Sequence, residues 1–360
     1  MRGAIGLVAI ALVLSACEGQ DTAREFGAAP QVAVAPGAAP PPSPTLEAVR
    51  ERGRVTCGVA EELPGFSERE VLGWRGFDID ICRAVAAAVF GDAGRVRIVP
   101  MTTQERYEAL QAGQIDVIPH GGWNYSRDVG QRVDFAGVSY YDQQGVMVGQ
   151  GLSRRTVDDL AGLTVCVQQG PAQANLVEHY ESAAEDLKPD ILMFDTAAQA
   201  FAAYRDRQCR ALSGDIAILS SQRTLLGDPE AHVILPQAIS KEPQGPVVRQ
   251  EDGQWADIVG WTLNAMILAE EFGVTARSVP EDRERPRLPE IGRLLRGDED
   301  YGRMLLLSED WAYQVIRQVG NYGEMFDRNL GPGTAINLER GQNALWNAET
   351  PGLLYAPPMR

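Results

Sequence analysis

The side chains best suited to covalent chemistry in this 360-residue chain are its cysteines, and their spacing excludes much of that chemistry. Cys57, Cys82, Cys166 and Cys209 include no Cys-x-x-Cys pair, which argues against a zinc site or a dithiol redox centre. The three histidines stand apart at 120, 179 and 232, and no Ser–His–Asp set or metal-ligand cluster is visible. No cofactor and no enzymatic activity are therefore expected. The net charge of −16 argues against a nucleic-acid partner, which would want clustered Lys and Arg.

The fifth cysteine, Cys17, has a different setting. A short start with one charge, Arg2, leads into an apolar run from Ala4 to Leu14 that is too short to span a bilayer. Small residues follow, and Leu14-Ser15-Ala16-Cys17 resembles the bacterial lipobox, in which the cysteine becomes the lipidated N-terminus of the mature protein. The alternative is an ordinary signal peptide that happens to contain a cysteine. Residues 18–44 are rich in Ala, Pro and Gly, favour extended polyproline II geometry, and suit a tether. Export and a lipid anchor on a bacterial membrane are the expectation, with residues 1–16 as signal and 17–44 as anchor and tether.

The remaining residues, 45–360, suffice for two domains, and 44% of the chain is apolar. Strand-like and helical patterns alternate, the grammar of a parallel α/β sheet. Strands are expected at Val55–Val59, Arg97–Pro100 and Ile115–Ile118, with helices at Asp80–Phe90 and Thr103–Ala112. A second unit has strands near Thr164–Val167, Ile191–Phe194 and Arg210–Leu212, a helix after Gly170-Pro171, and a helix over Ala197–Asp206. Val133–Tyr141 and Ile239–Val248 read as two crossings between the units, so that 139–244 forms a lobe inserted into a lobe made of 45–138 and 245–360. The C-terminal part is more helical, with Gln254–Glu271 and Trp311–Val319 as amphipathic helices. Residues 280–299, charged and with three prolines, read as a surface loop. In an oxidising compartment the four remaining thiols have two arrangements open: Cys57–Cys82 and Cys166–Cys209, each inside one lobe, or four buried free thiols.

Against this background the chain resembles the periplasmic polar-amino-acid-binding proteins of ABC transporters, and within them the general L-amino-acid-binding subgroup. The likeness is carried by Thr45–Arg50, Leu63–Ser67, Gly76–Val85, Val133-Asp134-Phe135, Tyr140-Tyr141, Val165–Gln168, Ile239–Pro243, Val319–Glu324 and Asn343–Asn347. Each motif is weak alone; their order over residues 45–360 is specific. The resemblance implies a two-lobed type II periplasmic-binding-protein fold with two hinge crossings and a helical C-terminal extension. It also implies capture of an amino acid between the lobes and delivery to an ABC permease.

A zwitterion needs a cation and N–H donors for its carboxylate, and acceptors for its ammonium. By resemblance Arg127 grips the carboxylate, for which a planar, permanently charged guanidinium is suited; the alternative is an ion pair with Asp128 or Asp134. Gly170 and Ala172 fall where a helix N-terminus would add backbone donors, although Pro171 and Ala172 replace the hydroxyl residues usual there. Asp215 matches the aspartate that meets the ammonium; the alternative is an N-cap of the helix that follows. Gly122, Trp123 and Asn124 belong to a stretch that departs from the subgroup pattern, with Trp123 expected against a ligand side chain and Asn124 at the ammonium or carboxylate. Glu61, Glu62 and Phe66 lie in the loop after the first strand, which reaches the cleft in this fold. His120 is expected to be a local structural residue, and Asp78 an N-cap. Two rival readings stand beside amino-acid capture: a degenerate binder or sensor with an altered ligand, suggested by Gly121, Gly122, Pro171 and Ala172, and a dehydratase-like enzyme on the same scaffold.

Overall fold

Apolar residues alternate sides along the strands of the central unit, and the computed structural model shows why. It describes residues 41–60, 63–152, 154, 156–297 and 299–360. The expected signal peptide, Cys17 and most of the tether, with Glu61 and Glu62, lie outside these. Val146, Val148, Val165, Val167 and Ala211 face one core, while Met147, Cys166 and Leu212 face another. That is the two-sided pattern of a sheet covered on both faces. The sheet has five strands in the order Asp190–Phe194, Thr164–Gln168, Ala211–Asp215, Gln144–Gly149, His232–Ile234. The first three are parallel and the last two run antiparallel to their neighbours. Helices Pro171–His179 and Ala197–Arg205 connect the parallel strands.

The other unit pairs Val55–Val59 in parallel with Val96–Pro100, and Cys57 bridges to Val117 beside them. The third strand of this unit is Ile118–Gly122, three residues later than its apolar pattern indicates. It runs antiparallel to the long strand Glu242–Arg249, which also pairs with Val133–Phe135 and Tyr140–Asp142. Glu242, Pro243 and Gln244 stand opposite Asp142, Tyr141 and Tyr140, so the two crossings between the sheets are themselves a paired ribbon. Gly245 is required in that ribbon: a Cβ there would lie 2.0 Å from the Gly137 carbonyl oxygen. The fold is a two-lobed α/β architecture with one lobe inserted in the other and a helical C-terminal region.

The C-terminal helices complete the core of the discontinuous lobe. Helix Gly253–Glu271 packs on Phe77–Phe90, and Trp255, Trp311, Tyr322 and Phe326 are fully buried. Two hydrogen-bonding contacts reach the ribbon: Tyr322 donates to the Ser139 carbonyl (2.8 Å), and Asn343 bonds both the N–H (2.7 Å) and the C=O (3.1 Å) of Tyr141.

Residues 280–299 differ from the expected loop. Helices Val279–Glu284 and Pro289–Arg296 run through them, burying Val279, Ile291, Leu294 and Leu295. Pro280 and Pro289 sit in first helical turns, where a missing N–H costs nothing. Two of the three prolines are thus helix starts, and Pro286 lies between the helices. Both disulfides form, Cys57–Cys82 from strand to helix in one lobe and Cys166–Cys209 in the other. No described helix is long and apolar enough to cross a membrane.

Candidate ligand-binding cleft

A cavity of about 370 Å³ lies between the lobes. Its walls carry charges of opposite sign. On one wall stands Arg127, in the short helix Tyr125–Gly130 that follows the strand Ile118–Gly122. Its Nη1 donates to the Gly122 carbonyl (3.0 Å), and its guanidinium lies 5.7 Å from the centre of the Tyr107 ring. Among the described residues it has no carboxylate oxygen within 4.0 Å, so neither Asp128 nor Asp134 pairs with it. Gly122 lets the arginine fold back, because a Cβ there would come 2.4 Å from Nη1.

Asp215 stands on the opposite wall, at the end of the strand Ala211–Asp215. It occupies the N-cap position of helix Ile216–Arg223 yet makes no capping bond with its side chain. Gln244 Nε2 donates to its Oδ2 over a long 3.5 Å. Burial and the charge of Glu242 push its carboxyl up to about 6, while His120 and Arg127 pull the other way. Asp142, beneath it in the ribbon, is raised well above the usual range by burial and by the charge of Asp215; the N–H groups of Gln143 and Ala217 oppose this.

The other residues singled out in the sequence divide. Ala172 lines the cavity near the start of helix Pro171–His179, and its carbonyl accepts from Gln144 Nε2 at 2.7 Å. Gly170 is the N-cap of that helix, with φ of 113°, and does not line the cavity. Asn124 lines the cavity, but its Oδ1 accepts the Arg127 N–H (3.0 Å) as an N-cap, which leaves its amide nitrogen for other partners. Phe66 is fully buried in an aromatic wall with Phe77, His120 and Tyr140.

Two expectations need correction. Trp123 is absent from the cavity lining and stacks on Phe135, with ring centres 5.0 Å apart. It follows Gly122 directly, and successive residues of an extended chain point to opposite faces. Asp78 is no N-cap: the helix begins at Phe77 after Gly76, and Asp78 is buried in its first turn, lining the cavity. His120 also lines the cavity, with Nδ1 at 3.3 Å from Asp78 Oδ1.

Residues the sequence pattern left unmarked complete the walls. Gln144, Glu242 and Gln244 come from the ribbon and its extension, and Arg106 and Tyr107 from helix Thr103–Gln111. The position of Glu242 and Gln244 inside an expected crossing was the available signal for those two. Nothing local marks Arg106, which resembles a solvated helix arginine in sequence. Among the described residues Arg127 has no carboxylate partner on its wall and Asp215 is weakly partnered on the other, an arrangement complementary to a small zwitterion.

The fold and cleft are those of a solute-binding protein. Residues 55–276 match the bacterial extracellular solute-binding proteins, family 3, and the chain belongs to that family. It is 43% identical over 332 residues to the general L-amino acid-binding periplasmic protein AapJ of Rhizobium johnstonii, covering 91% of this chain and 96% of that one. It is 40% identical over 339 residues to the glutamate/glutamine/aspartate/asparagine-binding protein BztA of Rhodobacter capsulatus, covering 93% and 98%. An ABC transporter periplasmic binding protein from Brucella ovis with glutathione bound superimposes with a TM-score of 0.83 at 41% identity, covering 88% of this chain and 99% of that one.

Proposed function

We propose that this protein is the substrate-binding component of an amino-acid ABC transporter, capturing an L-amino acid in its interlobe cleft and delivering it to a membrane permease. The observation that carries this reading is the placement of Arg127 and Asp215 on facing walls of one cavity, close enough that the arginine's charge acts on the aspartate, without an ion pair between them. An α-carboxylate on Arg127 and an α-ammonium on Asp215 would complete both groups. Ala172, with its backbone N–H, and Asn124, with its amide nitrogen, line the same cavity. The paired ribbon at 140–142 and 242–244 is the hinge about which the lobes, 139–244 and 45–138 with 245–360, close.

The names of the relatives support the ligand class. The glutathione-bound Brucella protein favours a second ligand class, γ-glutamyl peptides, because the γ-glutamyl end of glutathione carries a free α-ammonium and α-carboxylate. Cys17 is proposed as the lipid attachment site, holding the body at a bacterial membrane on the 18–44 tether. Incorporation of labelled palmitate that persists in Cys17→Ala would end that part of the reading.

A thermal-shift screen of the common L-amino acids and glutathione tests the function. Ligand at 100 Kd should add about 2.7 kcal/mol of stability. No shift with any of them would refute amino-acid capture.

A further inference from the structure

In the same cavity, beside Arg127, polar atoms are buried without hydrogen-bond partners. Asp78 Oδ1, Arg106 Nε, Tyr107 Oη and His120 Nδ1 are all in this condition. Their residues line the same cavity. Asp78 is 1% exposed, Tyr107 6% and Arg106 8%. Buried orphans of this kind are rare in native folds, and each is costly unless something completes it.

The orphans are of complementary kinds. Arg106 places its Nη1 on the His120 carbonyl and its Nη2 on Thr103 Oγ1, both at 3.3 Å, and keeps its Nε–H to give. Asp78 keeps an acceptor, set 3.3 Å from His120 Nδ1 without a hydrogen bond between them. The charges of Asp78 and Arg106 act on each other, yet no N–O distance between them falls within 4.0 Å. A donor and an acceptor held apart in one pocket, with a hydroxyl that can do either, match a group that is itself donor and acceptor.

We propose that Asp78, Arg106 and Tyr107 form a subsite that selects an amide group in the ligand, with Asp78 taking the amide N–H and Arg106 donating to the amide oxygen. This rests on the reading that Arg127 and Asp215 hold the α-carboxylate and α-ammonium. A carboxylate in the subsite would offer no donor and would set a negative charge beside Asp78. An ammonium would offer no acceptor and would set a positive charge beside Arg106. A site built for hydrogen bonds rejects an analogue that leaves its buried groups unpaired far more strongly than an apolar pocket rejects a change of size.

Isothermal titration of the full chain with L-glutamine, L-glutamate, L-lysine and glutathione tests this. Glutamine or glutathione should bind at least about tenfold more tightly than glutamate or lysine. Glutamine locates the amide at a side-chain end, whereas glutathione without glutamine locates it in a peptide bond. Asp78→Asn, which gains a donor and loses the charge, should bring the glutamine-to-glutamate ratio below about threefold, a change that mere loosening of the fold would not produce. Glutamate and glutamine binding within threefold of each other to the unsubstituted protein, with glutathione not preferred, overturns the subsite and leaves amino-acid capture standing. An unchanged ratio in Asp78→Asn also overturns it. Failure of every amino acid and of glutathione to bind removes the capture reading and the subsite with it.

Discussion

Asp142 accepts the backbone N–H of Ala217 with both carboxylate oxygens at 3.3 Å, while Asp215, which precedes that helix in the N-cap position, makes no capping bond. The crossing strand therefore satisfies a helix end that would otherwise claim the cleft aspartate. Asp215 is left for a ligand, at the cost of placing two carboxylates, and Glu242 as a third, in mutual repulsion.

This arrangement predicts opposite pH responses of stability and affinity. The folded-state pKa of Asp215 is raised, from 3.8 to about 6. Between those values the folded chain holds the proton and the unfolded chain does not. The group's contribution to the stability of the ligand-free protein should therefore rise as pH falls from about 6 towards 4, and be flat above 6. An ammonium ligand needs the ionised form, so its affinity should fall by about tenfold from pH 7 to pH 5. Titrations across that range, with Asp215→Asn as control, check both trends; an affinity that does not weaken below pH 6 would separate Asp215 from the ammonium.

Arg127→Ala should reduce amino-acid affinity by at least about 100-fold, the scale seen when one partner of a buried charge pair is truncated. Its partners in the ligand-free protein are one carbonyl and the Tyr107 ring face, so the melting temperature should change little. Calorimetric binding that survives the substitution would reject the assigned role.

Gly122→Ala makes a subtler demand. The new Cβ meets the movable end of Arg127 at 2.4 Å and no backbone. The guanidinium should move, giving about a tenfold loss of affinity with near-normal stability. A drop in stability without loss of affinity would mean that Gly122 serves the backbone instead.

The Cys166–Cys209 bridge closes a loop of 43 residues. By the chain-entropy relation its removal should cost about 4 kcal/mol, measured by denaturation of the double Cys→Ala variant against the parent. Free-thiol titration of the denatured, unreduced protein should find neither pair reactive.

Asn343→Ala should destabilise the ligand-free protein by about 2 kcal/mol in urea, because it strips partners from both backbone groups of Tyr141 in the ribbon. An unchanged midpoint would show that the C-terminal region does not support the crossings.

The family and the two-lobed order of elements were legible in residues 45–360 because apolar periodicity and local motifs are properties of neighbouring residues. The cavity positions of Arg127 and Asp215 were legible for the same reason, each standing in a short recognisable segment. Prolines 280 and 289 were misread as loop markers, since a proline in a first helical turn and a proline in a loop look alike until the apolar face around Ile291 and Leu294 finds its core. Trp123 does not face the cleft: strand alternation turns its ring onto Phe135, while His120, three residues earlier, faces the cavity among Asp78, Phe66 and Tyr140. Asp78, Arg106 and His120 come from three separate elements, and only the packing of those elements brings their unpartnered atoms into one cavity. Sequence alone determined the kind of protein, through patterns that act over a few residues; tertiary structure decided which polar groups stay unsatisfied in the cleft, because satisfaction depends on partners distant along the chain.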